Sequence, residues 1–286
     1  MPLLLLAILA LVQGITEFLP ISSSGHLDLT WIAFHGLGQV PASMDARQEL
    51  VLDVAVHVGT LGAVCLYYWR DLWAMLLGLL RLLRGRRDEG ARLVGLLIVA
   101  TLPVVAVGFL VKDWLPAVKG DLTLIGWTTL VYGVLLWLAD RSGMTLRRIE
   151  HLRLPDALLL GVAQVLALVP GTSRSGITMT AARMIGMERQ EAARFSMLMS
   201  IPTIAAAGLL AGLDLADSGS AGLGADALLA ALLAFGAALL AIALLMAWLR
   251  RASFLPFVIY RILLGGLILF LVYSGTLAEW GWQSVL

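Results

Sequence analysis

A short stretch near the N-terminus contains side chains whose types and spacing could do chemistry. Residues 13–26 read QGITEFLPISSSGH. The polar groups of interest are an amide, a carboxyl group, three consecutive serine hydroxyls and an imidazole: Gln13, Glu17, Ser22, Ser23, Ser24 and His26. A carboxylate or an imidazole can accept and return a proton, and a serine hydroxyl can attack an electrophile. The stretch therefore predicts a catalytic or binding site.

A second stretch, PGTSRSG at residues 170–176, supplies complementary groups. Its polar and small residues are Thr172, Ser173, Arg174, Ser175 and Gly176, and Thr178 lies two residues further on. One hydroxyl is enough to cap a helix N-terminus, so the further hydroxyls favour an anion site, because helix N-termini attract phosphate. Arg174 is the predicted counter-charge of Glu17 and could clamp a phosphate through two N–H groups. An acid, a hydroxyl, an imidazole and a guanidinium together indicate phosphoryl transfer.

The composition shows what kind of elements must position these groups. Of the 286 residues 60% are hydrophobic and 14% charged, and the mean hydropathy is +0.93, which excludes a water-soluble domain. Crossing the hydrocarbon core takes about 20 mainly apolar residues. Six stretches qualify, at residues 50–69, 93–111, 122–139, 195–213, 227–249 and 255–273. The sequence predicts an all-α polytopic membrane protein that forms a single domain over residues 1–286.

Two further apolar stretches are interrupted by a proline. Residues 3–19 end at Pro20, and residues 155–169 end at Pro170; the residues after each proline are too polar to face lipid. Both stretches predict a helix, a bend and a half-helix, which form a re-entrant hairpin whose bend must be surrounded by protein or by a water-filled cavity.

Loop charges predict the orientation of the chain. The loops after the first, third and fifth spans are rich in arginine and are therefore cytoplasmic: Arg70, Arg81, Arg84, Arg86, Arg87 and Arg92; Arg141, Arg147, Arg148 and Arg153; Arg250 and Arg251. The opposite loops hold Lys112 and Lys119, or only acidic residues such as Asp217. The first hairpin then enters from the outer face and the second from the cytoplasmic face.

This arrangement predicts an inverted-topology repeat, with pseudo-repeats at roughly residues 1–140 and 141–286. Gln164 with VPGTSRSG echoes Gln13 with LPISSSG. Each motif is succeeded by a span in which small residues or a proline predict a break, at Gly59 and at residues 200–202. Broken helices of inverted repeats usually meet near the bilayer midplane, with the N-termini of the half-helices pointing at a bound anion. Asp53 and His57, four residues apart, are interpreted as a local pair near a helix end, and Arg261 as an interfacial or inter-helix anchor.

Both motifs, together with FSMLMSIP and PFVIYRI, resemble segments of the bacitracin-resistance family of undecaprenyl-diphosphate phosphatases. The resemblance covers nearly the whole chain. It implies an integral membrane enzyme, with six spans and two re-entrant hairpins, that hydrolyses undecaprenyl diphosphate to the monophosphate and so recycles the lipid carrier of cell-wall synthesis. It assigns catalytic roles to Glu17, Ser23, His26 and Arg174, with Ser173 and Thr178 as further functional positions. Many members have Glu where this chain has Gln13, which weakens any role of that position in holding a metal.

Several points stay open at this level. Ser23 could attack the terminal phosphorus, with His26 or Glu17 as the base, or Glu17 could activate water. Backbone amides around Gly25 and Gly176 are expected to bind the phosphates with the neighbouring hydroxyls. A divalent cation, Mg²⁺ or Ca²⁺, is expected to arrive with the diphosphate, and Glu17 is the one candidate ligand.

The expected setting is the bacterial inner membrane, with the active site opening to the periplasmic face, an isoprenoid lipid diphosphate as substrate, membrane lipid around the chain and no nucleic-acid partner. Small residues at 208–212 could form a homodimer or pack within one chain. An alternative function for the same inverted-repeat site is transport, or flipping, of a lipid phosphate.

Overall fold

The computed structural model describes residues 2–41, 44–86, 88–216 and 224–276. Their regular structure is α-helical, with short 3-10 turns and one isolated bridge between Arg147 and Met187. The helices are α1 (Leu3–Thr16), α2 (Ser23–Gly36), α3 (Ala46–Tyr67), α4 (Trp69–Leu82), α5 (Glu89–Val111), α6 (Leu122–Ser142), α7 (Leu154–Val165), α8 (Arg174–Met184), α9 (Arg189–Ala216), α10 (Gly224–Trp248) and α11 (Leu255–Tyr273). Arg87 and Asp217, two of the loop charges counted above, lie outside the described residues.

Six of these helices are long and apolar enough to cross a membrane: α3, α5, α6, the first 21 residues of α9, α10 and α11. Each corresponds to one of the six stretches predicted from the sequence. The fold is that of a multi-pass membrane protein. The breaks predicted at Gly59 and at residues 200–202 are wrong, because α3 and α9 run through these positions without interruption.

Gly59 has a packing function instead. A Cβ atom there would lie 2.1 Å from the carbonyl oxygen of Ala231, so the missing side chain lets α3 approach the backbone of α10. Gly14 on α1 also lies close to α10, where a Cβ atom would lie 2.7 Å from the carbonyl oxygen of Ala234. Close contacts of this kind are typical of helices in a membrane, where small residues let two backbones approach and van der Waals packing stabilises the pair. These two glycine contacts pack α1 and α3 against the same helix, α10.

Two helix–bend–helix units supply the non-helical backbone near the site. In the first, residues 17–22 separate α1 from α2; in the second, a 3-10 turn and residues 169–173 separate α7 from α8. Ser22 and Ser173 end the two bends with φ angles of 77° and 73°, and they are the only non-glycine residues with positive φ in the described part of the chain. Strained backbone of this kind is concentrated at functional sites.

Charged residues join the ends of several helices on one side of the molecule. Asp140 at the end of α6 accepts from Arg183 on α8, at 3.1 Å, and from Arg189 at the start of α9, at 2.7 Å. Arg147, just before α7, pairs with Asp156 at 2.5 Å, and Arg148 pairs with Glu188 at 2.9 Å. These contacts place the start of α7 and the end of α8 at the same side, so the second unit turns back on itself.

Candidate active site

Glu17 lies in the first bend and is the centre of a buried polar cluster. Its side chain is 6% exposed. The Nη2 atom of Arg174 lies 3.0 Å from one carboxylate oxygen. The other oxygen accepts from the hydroxyl of Ser23 at 2.7 Å and from the amide of Gln13 at 2.9 Å. A buried carboxylate is costly without such partners, so the three donors explain how this charge is tolerated. The counter-charge predicted for Glu17 is the one that the structure provides.

The two bends have the same local structure. Ser22 precedes α2 and accepts from the amide of Gly25 at 3.3 Å, and Ser173 precedes α8 and accepts from the amide of Gly176 at 3.0 Å. Both N-cap hydroxyls also lie near the serine two residues on, Ser22 with Ser24 at 3.4 Å and Ser173 with Ser175 at 3.1 Å. The amides of Gly25 and Gly176 are thus used by the caps. The missing side chain of Gly176 also lets Arg261 approach, because a Cβ atom there would lie 3.0 Å from Arg261 Nη1.

Arg174 is held from behind by two hydroxyl-bearing residues. Its Nη1 atom donates to the carbonyl oxygen of Ser196 at 2.9 Å. The hydroxyls of Ser196 and Thr178 lie 2.6 Å apart, and Thr178 also donates to the carbonyl oxygen of Arg174 at 2.8 Å. A guanidinium carries five N–H groups; two of them have acceptors among the described residues, and the others are free for an anion. Thr178 is fully buried behind Arg174 and helps to hold this arginine in place.

Arg261 on α11 joins the two bends. It is fully buried and donates to the carbonyl oxygens of Pro20 at 3.2 Å, Gly171 at 3.1 Å and Thr172 at 3.0 Å. Its other acceptors are two carbonyl oxygens of α6, at Thr129 and Thr128. Ser175 adds a bond from the second bend to the first, donating to the carbonyl oxygen of Leu19 at 2.8 Å. Buried main-chain carbonyls of the bends, which have no partner in a regular helix, are satisfied in this way.

A cavity of about 340 Å³ opens beside this cluster. Its polar wall consists of Glu17, Ser23, Ser24, Asp53, His57, Ser173 and Arg174. The rest of the lining is mostly apolar and comes from α3, α5, α9 and the 3-10 turn after α7; it includes Val104, Leu168, Ile204 and Gly208. The volume is within the range of small-molecule sites. A polar wall that continues into an apolar groove fits a ligand with a charged head and a long apolar tail.

His26 and His57 do not occupy the positions that were predicted for them from the sequence. His26 lies outside the cavity lining: its Nδ1 atom is 2.6 Å from the carbonyl oxygen of Ser22, and its Nε2 atom is 2.6 Å from the hydroxyl of Tyr260. His57 lines the cavity, with Nε2 3.9 Å from a Glu17 oxygen and Nδ1 2.6 Å from the carbonyl oxygen of Asp53. The imidazole beside Glu17 is therefore His57, which sequence spacing had assigned to a local helix pair.

Two buried polar side chains keep an unpaired oxygen. Gln13 and Gln164, the matching glutamines of the two motifs, are fully buried, and the amide oxygen of each has no hydrogen-bond partner in the described structure. The hydroxyl of Thr172 is in the same situation. Buried unpaired polar atoms are rare and indicate water, an ion or a functional role.

The donor set does not form a metal cage made of protein alone. Within the described ranges, no group of three or more His, Cys, Asp or Glu side chains is placed to hold a metal ion. The oxygens of Glu17 already accept from Arg174, Ser23 and Gln13. Magnesium and calcium need several oxygen ligands, and this wall supplies too few of them without further oxygens from a ligand.

Comparison with known proteins identifies the family. Residues 6–267 match the family described as "Bacitracin resistance protein BacA". The chain belongs to this family. Curated BacA-family relatives align over almost their full length. Undecaprenyl-diphosphatase 1 of Rhodospirillum rubrum is 54% identical over 277 residues, which cover 96% of this chain and 97% of that protein. The undecaprenyl-diphosphatase of Ruegeria pomeroyi is 52% identical over 276 residues, 96% of this chain and all of that protein.

Proposed function

We propose that this chain is an integral membrane undecaprenyl-diphosphatase, which hydrolyses undecaprenyl diphosphate to undecaprenyl phosphate and inorganic phosphate. The observation that carries the proposal is the convergence of Glu17, Ser23 and Arg174 at the N-termini of α2 and α8, beside a groove that becomes apolar. Membership of the BacA family and the names of its relatives support it. The product is the lipid carrier of peptidoglycan synthesis, so hydrolysis recycles this carrier. The family description supports a role in bacitracin resistance.

The substrate divides between the two parts of the cavity. The diphosphate is bound by Arg174 and the hydroxyls of Ser23, Ser24 and Ser173, where two helix N-termini favour negative charge. The isoprenoid tail is far larger than the cavity and extends along its apolar side, past Val104 and Ile204, into the surrounding lipid. The buried hydroxyls of Ser22, Ser175 and Thr178 shape the two bends and hold the arginine.

The reaction begins with attack by Ser23. Its Oγ atom forms a bond to the terminal phosphorus, and the bond from that phosphorus to the bridging oxygen breaks, with its electron pair leaving on undecaprenyl phosphate. The hydroxyl proton passes to Glu17, which already accepts it as a hydrogen bond at 2.7 Å. Arg174 stabilises the charge on the transferred group. Water then attacks the phosphorus of the phosphoserine, and the bond from phosphorus to Oγ breaks with its electron pair on Oγ. Glu17 returns its proton to this oxygen, and inorganic phosphate leaves with the hydrogens of the attacking water, one of which passes to solvent near neutral pH.

Glu17 is the better of the two bases considered for this step. It contacts the Ser23 hydroxyl directly, whereas His26 is hydrogen-bonded to Tyr260 outside the cavity. His26 then acts by holding the start of α2 against α11. A divalent cation that arrives bound to the diphosphate would supply charge neutralisation, with Glu17 as its protein ligand; the chain's own residues provide the nucleophile, the base and the arginine.

The arrangement in the membrane is inferred from the helix ends. The two helix–bend–helix units are re-entrant hairpins of an inverted repeat within one membrane domain, and the matched caps at Ser22 and Ser173 support this symmetry. The arginine-rich loops lie at the cytoplasmic face by the positive-inside rule. The cavity is lined by the early part of α3 and the later part of α9, so it opens to the opposite, periplasmic face of the inner membrane. A homodimer stays a prediction.

Replacement of Ser23 tests the mechanism. We expect Ser23→Ala to lower phosphate release by about 10³-fold or more, because the nucleophile of a covalent route is lost. Wild-type protein that is quenched in acid during turnover of a substrate labelled at the terminal phosphate should carry the label on the Ser23 peptide. The matched control is Ser142→Ala, an exposed serine at the end of α6. Normal turnover by Ser23→Ala contradicts the nucleophile; an inactive variant with no label in the wild type assigns attack to water.

Phosphate release in detergent micelles separates hydrolysis from transport. A micelle has no two sides, so a flippase releases nothing there, whereas the phosphatase forms inorganic phosphate from an isoprenyl diphosphate. Transport of a lipid phosphate is not favoured, because the relatives are named for hydrolysis. Absence of phosphate release at every Mg²⁺ and Ca²⁺ concentration would contradict the proposed function.

A further inference from the structure

Helix α4 is a separate element that the catalytic proposal does not use. We infer that α4 lies in the membrane interface at the arginine-rich end of the molecule and binds the head groups of anionic lipids. Its 14 residues span about 21 Å at 1.5 Å per residue. The hydrocarbon core is about 30 Å thick. The helix is therefore too short to cross it, although it is flanked by the spans α3 and α5.

Its contacts place α4 across the ends of the spans. Ala74 and Gly78 pack against the first turn of α5, where a Cβ atom on Gly78 would lie 2.2 Å from the amide of Ala91 and one on Gly90 would lie 2.2 Å from the carbonyl oxygen of Ala74. Asp71 pairs with Arg194 in the first turns of α9. Both partner helices begin at this end, and α3 finishes there. These contacts join α4 to the ends of α5 and α9 that lie beside the arginine-rich loops, which favours a position along the end of the bundle over one beside the full length of the spans.

The face of α4 that points away from the protein is apolar. Trp69, Trp73, Leu76 and Leu80 are between 47% and 56% exposed. Their spacing of four, three and four residues puts them on one stripe of the helix. Gly78, which packs on α5, lies on the opposite side and is buried. An exposed stripe with two tryptophans is typical of a helix whose apolar side enters the boundary between head groups and acyl chains.

Arginines flank this stripe and extend past the end of the helix. Arg70 stacks on the Trp69 ring, with 5.4 Å between the guanidinium carbon and the ring centroid. Arg81 is paired with Asp88 at 2.8 Å. The side chains of Arg84 and Arg86 are exposed and have no hydrogen bond or ion pair in the described part of the chain. Unpaired guanidiniums beside an exposed apolar stripe are complementary to phosphate head groups, and each basic residue near an anionic surface adds about 1 kcal/mol of attraction.

The occupant of this surface is therefore the lipid of the adjacent leaflet. A second copy of the chain could cover the stripe through apolar contacts, but it would bring another set of unpaired arginines against the first. Like charges in contact oppose that arrangement. Anionic lipid satisfies both the stripe and the arginines at once.

Local quenching by brominated lipids tests the inference on the full chain. A bimane label is placed at Leu80→Cys in a Cys65→Ser background, and the protein is reconstituted in mixed phosphatidylglycerol and phosphatidylcholine vesicles. At equal mole fraction we expect brominated phosphatidylglycerol to quench more strongly than brominated phosphatidylcholine. The preference is the affinity of the site for phosphatidylglycerol relative to phosphatidylcholine, as derived from the two quenching curves. The double variant Arg84→Gln, Arg86→Gln should reduce it by about fivefold for each guanidinium removed. High salt should reduce it as well.

The matched control removes the same charge elsewhere on the same end of the molecule. Arg250 and Arg251 are exposed in the turn between α10 and α11. Arg250→Gln, Arg251→Gln should leave the lipid preference at residue 80 unchanged. An equal loss in this control, or equal quenching by both lipids in the wild type, overturns head-group binding by α4. Phosphate release in micelles shows that each variant is folded, because none of these arginines contacts the cavity.

The depth of the label tests the interfacial position independently. Bromines at shallow acyl positions should quench residue 80 most strongly, since interfacial helices are buried about 5–10 Å. A label at Ile98→Cys, exposed on the span α5, should be quenched most strongly by deep bromines. Equal depths for the two labels would show that α4 is inserted like a span and would overturn the interfacial position. Absence of quenching at residue 80 by either lipid would show that protein covers the stripe, and would overturn the inference.

Discussion

Glu17 has two tasks that a neutral side chain cannot perform together. Its carboxylate accepts the Ser23 hydroxyl and balances the charge of Arg174, with both contacts at hydrogen-bond distance. We expect Glu17→Gln to keep the hydrogen bond from Ser23 but to lower kcat by about 10²- to 10⁴-fold, because the proposed general base is lost. Phosphate release under saturating substrate in micelles measures this.

The control for this prediction is Glu49→Gln, which removes a carboxylate that pairs with His35 near the start of α3 and does not line the cavity. This variant should retain wild-type turnover. If Glu17→Gln turned over substrate at the wild-type rate, proton transfer would have to be assigned to another group of the cavity wall, and His57 is the nearest candidate.

Gln13 places a neutral amide beside Glu17, where a glutamate would add a second negative charge to the cluster. Its amide nitrogen lies 2.9 Å from a Glu17 oxygen, so Gln13→Glu would put two carboxyl groups in contact. Like charges at this distance require a proton or a cation between them. We expect the variant to release less phosphate without divalent cations and to recover part of its activity as Mg²⁺ or Ca²⁺ is added.

The comparison variant is Gln13→Ala, which removes the hydrogen bond to Glu17 without adding charge. Its activity relative to wild type should not depend on the added cation. The same response to Mg²⁺ in both variants would show that the charge at position 13 does not govern the use of metal.

The residues of the cluster differ in how far they could be predicted. The contact between Glu17 and Arg174 was predictable from charge, because a buried acid needs a cation and the second motif holds one. The roles of His26 and His57 could not be read in the same way. Which side of α2 faces α11, and which side of α3 faces the first bend, depends on packing between distant segments, and spacing along one helix carries no signal for it.

At the scale of elements, Arg261 donates the hydrogen bonds that carbonyl oxygens in the two bends would otherwise receive from a regular helix. It donates to five carbonyl oxygens from the two bends and α6. We expect Arg261→Met to destabilise the protein by at least about 4 kcal/mol, because several buried carbonyls lose their donor. A fall in melting temperature of about 10 °C or more in detergent would correspond to this.

Two variants control the Arg261 prediction. Arg261→Lys keeps the charge with fewer donors and should melt between the wild type and Arg261→Met. Arg250→Met removes an exposed arginine and should melt like the wild type. A wild-type melting temperature for Arg261→Met would mean that water or the other bend contacts satisfy these carbonyls.

The helices themselves were largely predictable, and the exceptions have physical causes. Hydropathy located all six long helices because each is apolar over about the length of a span. It missed α4, because an interfacial helix is shorter than a span and its arginines make it look like a loop. The break predicted from the small residue Gly59 is wrong because the missing side chain allows close contact with Ala231 while the helix continues.

At the scale of the whole molecule, the Glu17 cluster and the arginine-rich loops lie toward opposite ends of the long helices. The cavity is lined by Leu50 and Asp53 near the start of α3 and by Thr203 and Ala207 in the later part of α9. The arginine-rich loops adjoin the other ends of these helices. In the proposed function, substrate therefore enters from the side opposite to α4, which the positive-inside rule predicts to be the periplasmic face.

This separation predicts that hydrolysis is sided. A water-soluble, membrane-impermeant isoprenyl diphosphate should be hydrolysed by intact spheroplasts, and by inverted vesicles only after detergent opens them. Orientation is measured in the same preparations with an impermeant maleimide in the Cys65→Ser background. Leu37→Cys, exposed just after α2, should react from outside, and Arg84→Cys only after lysis. Hydrolysis by intact inverted vesicles, with Arg84→Cys labelled on their outer surface, would place the open cavity on the cytoplasmic side and contradict the proposed entry route.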